Sequence, residues 1–278
     1  MKPRTDFDKR SLSALLTLLQ DENVKVASLA MEELLKMGHL AEEAIAEHQE
    51  AADPHLRQRI HQLNGILVRR RARSTFLNAL KRESISLWQG LLQINLLYDP
   101  QCEHRVVTRA LRELAHEYLD NDADPAGLAA FMRQKEFTVP EDDVLDVDLY
   151  LLERVLHTAY GSPAVLCSLA RHISRRAGSD GTVVLHDGRF CLMSRGRVLI
   201  DPSRGWKLTH LRSASHVHPC RRKDVWLDVL AQLYLVSLVE GNLRDLFHFG
   251  ELLTALDGSD LTALPYPMGT TTSLPVSS

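Results

Sequence analysis

The four cysteines, Cys102, Cys167, Cys191 and Cys220, are scattered, with no Cys-x-x-Cys pair among them. A chain of 278 residues with so few thiols is not a disulfide scaffold, and a reducing cytoplasm is the expected setting. Long apolar runs are missing too. The apolar stretches are broken by polar positions and fall short of the roughly 20 residues of a membrane helix, so no membrane contact is expected. The opening "MKPRTDFDKR" has neither an apolar segment nor a small-residue cleavage site, so it does not read as a secretory signal. Charge of one sign is also lacking: the formal net charge is -3. That gives no reason to expect nucleic acid as a partner. The local "RRRAR" (Arg69 to Arg73) falls within a helical pattern and reads as a solvated helix face.

Helical periodicity is abundant. In "SLSALLTLLQDENVKVASLAMEELLKMG" apolar residues recur at three-and-four spacing, from Leu12 to Leu19 and again from Val26 to Met37. "DEN" (Asp21 to Asn23) breaks the pattern and offers a cap for the second helix, which Gly38 closes. The pair is similar to one HEAT-type repeat. "LAEEAIAEHQEA" gives a short helix, and Pro54 opens another that runs to about Arg82. Four more follow at "ISLWQGLLQINLL", "HRVVTRALRELAHEYL", "LAAFMRQKEF" and "LYLLERVLHTAY".

The pattern then changes. "SPAVLCSLARHISRRAG" is a helix opened by Ser162 and Pro163 and closed by Gly178. "TVVLHDG", "RFCLMSRG" and "RVLIDPSRG" are short β-rich runs bounded by glycine, and they predict a three-stranded antiparallel meander. "DVWLDVLAQLYLVSLVEGN" and "LRDLFHFGELLTAL" predict a helical hairpin with "EGN" as its corner. From Asp257 periodicity is lost, which predicts a disordered tail.

A helix carrying Cys167, three strands, and Asp201-Pro202 at the end of the last strand together resemble the transglutaminase-like core. The resemblance is nearest to the SirB-type branch. That branch carries Gly-x-Pro at the helix start, Gly-His-Phe on a strand and Asp-Pro-Phe after a later one. Gly161-Ser162-Pro163, Gly188-Arg189-Phe190 and Asp201-Pro202-Ser203 hold those places. The architecture matches over roughly Ser84 to Leu256, and the motifs from Tyr150 to Leu208. The departures are Arg189 for the histidine, Ser203 for the phenylalanine and Gly205-Trp206 for a glycine pair.

The resemblance implies a Cys–His–Asp site, and the residues qualify it. A guanidinium stays protonated and only donates, so Arg189 cannot act as a general base. It can pair with Asp201, and bidentate geometry favours that reading. His186 lies three residues earlier, and strand alternation turns it the other way unless a tight turn or bulge at Asp187-Gly188 reverses the parity. Cys167 reads as a buried apolar thiol more readily than as a nucleophile. Cys191 reads as strand packing. In "HVHPC", His216, His218 and Cys220 form a possible zinc set with no second half at finger spacing, so a solvated loop is favoured.

The expectation is thus an α+β protein, mostly helical. Residues 1–82 form a HEAT-like region, 83–212 the core, 213–256 the helical hairpin and 257–278 the tail. The expected function is a non-catalytic, degenerate core that binds protein partners or regulates, with no cofactor. Cys167, Arg189, Asp201 and Trp206 are its vestigial-site or binding residues. The alternatives are a thiol acyl-transfer enzyme using Cys167, His186 and Asp201, and a zinc module at His216, His218 and Cys220.

Overall fold

The structure is a computed structural model that describes residues 4–81, 85–119, 124–141, 145–211 and 216–265. Among these, eleven α-helices accompany one small antiparallel sheet, a mostly helical α+β fold. The chain divides into two compact units. One holds residues up to 74 with 99–101, and the other holds 75–98 with the rest from 102.

The first unit contains α1 (Arg4–Leu18), α2 (Val24–Met37), α3 (His39–Glu47) and most of α4 (Pro54–Lys81). The predicted signals act locally. The Asn23 side chain accepts the Lys25 N–H at 3.0 Å, and Gly38 adopts φ +56°, a conformation that costs other residues energy. Leu16, Leu19, Leu34, Ile45, Ile60 and Leu63 close a common core. Arg59 ties α4 to the first turn by donating to the carbonyls of Leu19 and, at 2.8 Å, Asp21. In the "RRRAR" run Arg71 pairs with Glu42 and Arg70 donates to the Leu35 carbonyl, while Ala72 is buried. The run is therefore one solvated face interrupted by a core position.

The second unit begins with the end of α4 and continues through α5 (Leu87–Tyr98), α6 (His104–Tyr118), α7 (Pro125–Gln134), α8 (Leu152–Thr158) and α9 (Pro163–Arg176). The sheet follows: β1 (Thr182–His186), β2 (Arg189–Ser194), β3 (Val198–Asp201), β4 (Lys207–His210) and β5 (Val217–Pro219). Its order is β4-β3-β2-β1-β5, all antiparallel. The expected three-strand meander is its centre. Two strands were not foreseen: "KLTH" is too polar to alternate visibly, and "VHP" was expected to be a loop. β5 is instead held by pairing with β1, and Val217 joins a cluster of Val184, Cys191 and Leu199.

The unit closes with α10 (Arg222–Glu240) and α11 (Leu243–Asp257), the expected hairpin. Gly241 is left-handed at its corner and the Asn242 side chain caps α11. The segment expected to be a tail from Asp257 begins with a 3-10 turn at Leu261–Ala263, and the Tyr234 hydroxyl donates to the Pro265 carbonyl at 3.1 Å. The remainder of that segment, 266–278, lies outside the described residues.

No helix among the described residues is long and apolar enough to cross a membrane.

Candidate functional site

Three devices fix the start of α9. Ala159 ends α8 in a left-handed conformation, Ser162 N–H donates to the Leu149 carbonyl at 2.8 Å, and Ser162 Oγ accepts the Val165 N–H at 3.4 Å. The glycine of Gly161-Ser162-Pro163 has a steric cause. A Cβ there would lie 2.9 Å from Val155 Cγ1 and 3.1 Å from Leu166 Cδ2. Cys167 lies one turn further on and is fully buried. Its thiol makes no side-chain hydrogen bond or ion pair among the described residues. Burial pushes its thiol well above the ordinary value, and Cys191, Asp201 and Cys220 add to the shift. These surroundings all oppose a thiolate, whatever the helix N-terminus contributes.

β1 and β2 meet through a two-residue turn, Asp187 and Gly188, at φ +50° and +76°. Both central residues are left-handed, as a type I′ hairpin turn requires. The register pairs His186 directly with Arg189. Residues opposite one another in an antiparallel pair share a face, so His186 and Arg189 lie on the same side of the sheet. This corrects the parity expected from an offset of three: alternation holds along one strand, and the tight turn starts a second one. His186 Nδ1 is 3.6 Å from Asp187 Oδ2, and no hydrogen bond joins it to Cys167.

Alternation along β2 puts Arg189 and Cys191 on that same face, and the β2–β3 register carries Asp201 opposite Cys191. Arg189 Nε sits 3.6 Å from Asp201 Oδ2. That is close enough for attraction but too long for a hydrogen bond, and Nε has no acceptor although it is buried. The pair is a single contact, not the bidentate fork expected, because Asp201 is shared. Its Oδ1 accepts the Ser203 N–H at 3.0 Å, and a second cation, Arg204 Nε, stands 3.8 Å from Oδ2. Arg204 was not singled out in the sequence, although Asp-x-x-Arg across a helical turn was a readable signal. The Cys191 thiol is pushed up to about 12 by burial and then by Asp201, with Arg189 and Arg204 opposing.

Trp206 is 1% exposed and forms part of the core. Its Nε1 donates to the Phe137 carbonyl at 2.6 Å, and its own carbonyl accepts from Arg133 at 3.3 Å. Gly205 and Trp206 both take positive φ, +58° and +61°. Glycines would suit this turn, and the indole occupies the second place at some conformational cost.

His216 and His218 flank Val217 at the sheet edge, and among the described residues no three His, Cys, Asp or Glu are grouped so as to hold a metal ion. Cys220 Sγ lies 3.8 Å from the His218 carbonyl and also meets the backbone of Leu185. Its thiol is raised to about 11 by burial and Asp224. Asp228, on α10, is raised to about 6 by burial. A carboxyl whose folded pKa is raised contributes stability below its unfolded pKa and loses it as pH rises through the folded value. Asp228→Asn should therefore match the parent near pH 4 and exceed its stability above pH 6. The gain should be about 1–3 kcal/mol, checked by urea melts at the two pH values.

Residues 104–220, from α6 to the end of β5, match the family model of the transglutaminase-like superfamily. No curated protein and no solved structure matches the chain. The match spans both the helix of Cys167 and the strands of Arg189 and Asp201, and this part of the chain is a transglutaminase-like domain.

Proposed function

We propose that this transglutaminase-like domain is catalytically degenerate, that Arg189 stands in the histidine place of a SirB-type core, and that the chain acts as a protein-interaction or regulatory module. One observation carries the reading. The thiol at the head of α9 is fully buried and pushed away from ionisation, while the guanidinium of Arg189 leans on Asp201. Acyl transfer needs a thiolate and a group that accepts and returns a proton. Arginine fixes charge and cannot cycle a proton.

The expected result is no transglutaminase, amidase or protease turnover. Native Cys167 should be alkylated at least about a hundredfold more slowly than in the unfolded chain at neutral pH. Cys167→Ala should cost less than roughly 2 kcal/mol, the lower end of a large core truncation.

The rival reading, a thiol enzyme with Cys167, His186 and Asp201, draws support from the hairpin, which sets His186 beside Arg189 on one face. Rapid alkylation of Cys167 that His186→Ala abolishes would establish that rival.

A further inference from the structure

A cavity of about 650 Å³ opens in the second unit, where the segment before α5, helix α9, the start of β1 and the start of α10 meet. Its apolar wall includes Leu87, Val183 and Trp226, all buried. Five cations line it: Arg171 and Arg175, one helical turn apart on α9, and Arg221, Arg222 and Lys223 at the head of α10. Among the described residues no carboxylate lines it. Asp224, the acidic residue of α10's first turn, is engaged at 2.7 Å as the acceptor of the Arg221 N–H. Two of the guanidinium groups are anchored to backbone. Arg222 donates to the Ile85 carbonyl, and Arg171 Nε donates to the Gly181 carbonyl at 2.9 Å, a neutral partner that leaves the Arg171 charge in place. The positive end of the α10 dipole adds to the same field.

Arg171, Arg175, Arg221 and Lys223 bring like charges to one concavity, where they repel each other, and an anion would relieve that repulsion. His172 is held toward its neutral form, first by burial and then by Arg176 and Arg175. The size leaves room for more than a bare ion, because cavities of roughly 300–1,000 Å³ suit small organic molecules. Guanidinium forks match phosphate oxygens two at a time, and the apolar wall suits a flat organic body.

We infer that this cavity binds an organic phosphate with two or more negative charges, its phosphates toward the five cations and its organic part against the Trp226 wall. The site lies apart from the Cys167–Arg189–Asp201 arrangement in its residues and does not depend on whether that arrangement is catalytic.

The test is calorimetric titration of the full chain at low ionic strength with inorganic pyrophosphate, a nucleoside diphosphate and succinate. Saturable binding of either phosphate is expected, with the nucleoside diphosphate tighter and succinate at least about tenfold weaker. Arg175 and Lys223 are exposed side chains whose removal should spare the fold. Arg175→Gln with Lys223→Gln should weaken phosphate binding by at least about tenfold while the unliganded melting temperature does not fall. Arg112→Gln, an exposed position on α6, should change neither. Failure of both phosphates to bind at millimolar concentration overturns the inference. So does undiminished binding to the double variant, or succinate binding as tightly as pyrophosphate.

Discussion

Trp206→Ala should destabilise the protein by about 3–5 kcal/mol, the range for truncating a large buried aromatic side chain. The indole is 1% exposed, and its removal leaves a cavity in the core. Truncation also strips the Phe137 carbonyl of the donor 2.6 Å away. An unsatisfied buried acceptor costs about 1–3 kcal/mol by itself. Trp206→Phe separates the two effects by keeping most of the ring and removing only the N–H. It should cost about 1–3 kcal/mol. Trp206→Gly gives a third reading. At φ +61° glycine relieves about 1 kcal/mol of left-handed strain, so it should lose slightly less than alanine instead of more. Urea melts of the three variants check the order. Alanine and glycine equal to the parent would show that the indole is not a core anchor.

Gly90→Ala should also destabilise strongly, against the usual sign for a helical glycine. In an exposed helix the change gains about 1 kcal/mol. Here a Cβ would lie 2.3–2.5 Å from three atoms of the Trp226 ring. The ring cannot easily retreat. Its Nε1 donates to the Leu87 carbonyl at 2.9 Å, and its face meets Phe76 edge-on with centroids 5.5 Å apart. Overpacking of this kind costs about 1–3 kcal/mol, and the upper end is expected because backbone and ring are both held. Trp226→Phe makes room, so the double variant should lose less than the sum of the singles by about 1 kcal/mol or more. Simple additivity in that cycle would place the strain elsewhere.

The caps were the most readable part of the sequence, because each acts within a few residues. Asn23, Ser162 with Pro163, and Gly241 with Asn242 all do locally what their chemistry predicts. The sheet was half legible. β1 to β3 carry strong apolar runs, whereas β4 exposes Lys207, Thr209 and His210 and leaves little hydrophobic signal. The relation of His186 to Arg189 was open for a different reason. Parity across a hairpin is set by turn type, and "HDGR" reads correctly only when Asp187-Gly188 is taken as a complete two-residue loop. Asp201 and Arg189 were found through the resemblance of their motifs to the transglutaminase-like core, and the fold sets them 3.6 Å apart. Trp206 was placed at the site, but its long-range hydrogen bond to Phe137 could not be seen from neighbouring residues. The cationic cavity was missed altogether. Its residues come from four separated stretches, at 85–87, 171–175, 183 and 220–226, and none of the four is unusual alone.

The two outer strands of the sheet carry a consequence for how the protein meets its own copies. An open sheet border is a template on which another chain can lay a strand and propagate. One border here is β5, three residues long and ending in Pro219, which has no N–H to offer. The other is β4, four residues long and bearing Lys207. A docking strand would find few ladder positions at either side, one of them mute and one charged. "VHP", which as a zinc half-site has no partner set, thus has a use as a stop that keeps the five strands from becoming a sixth and seventh.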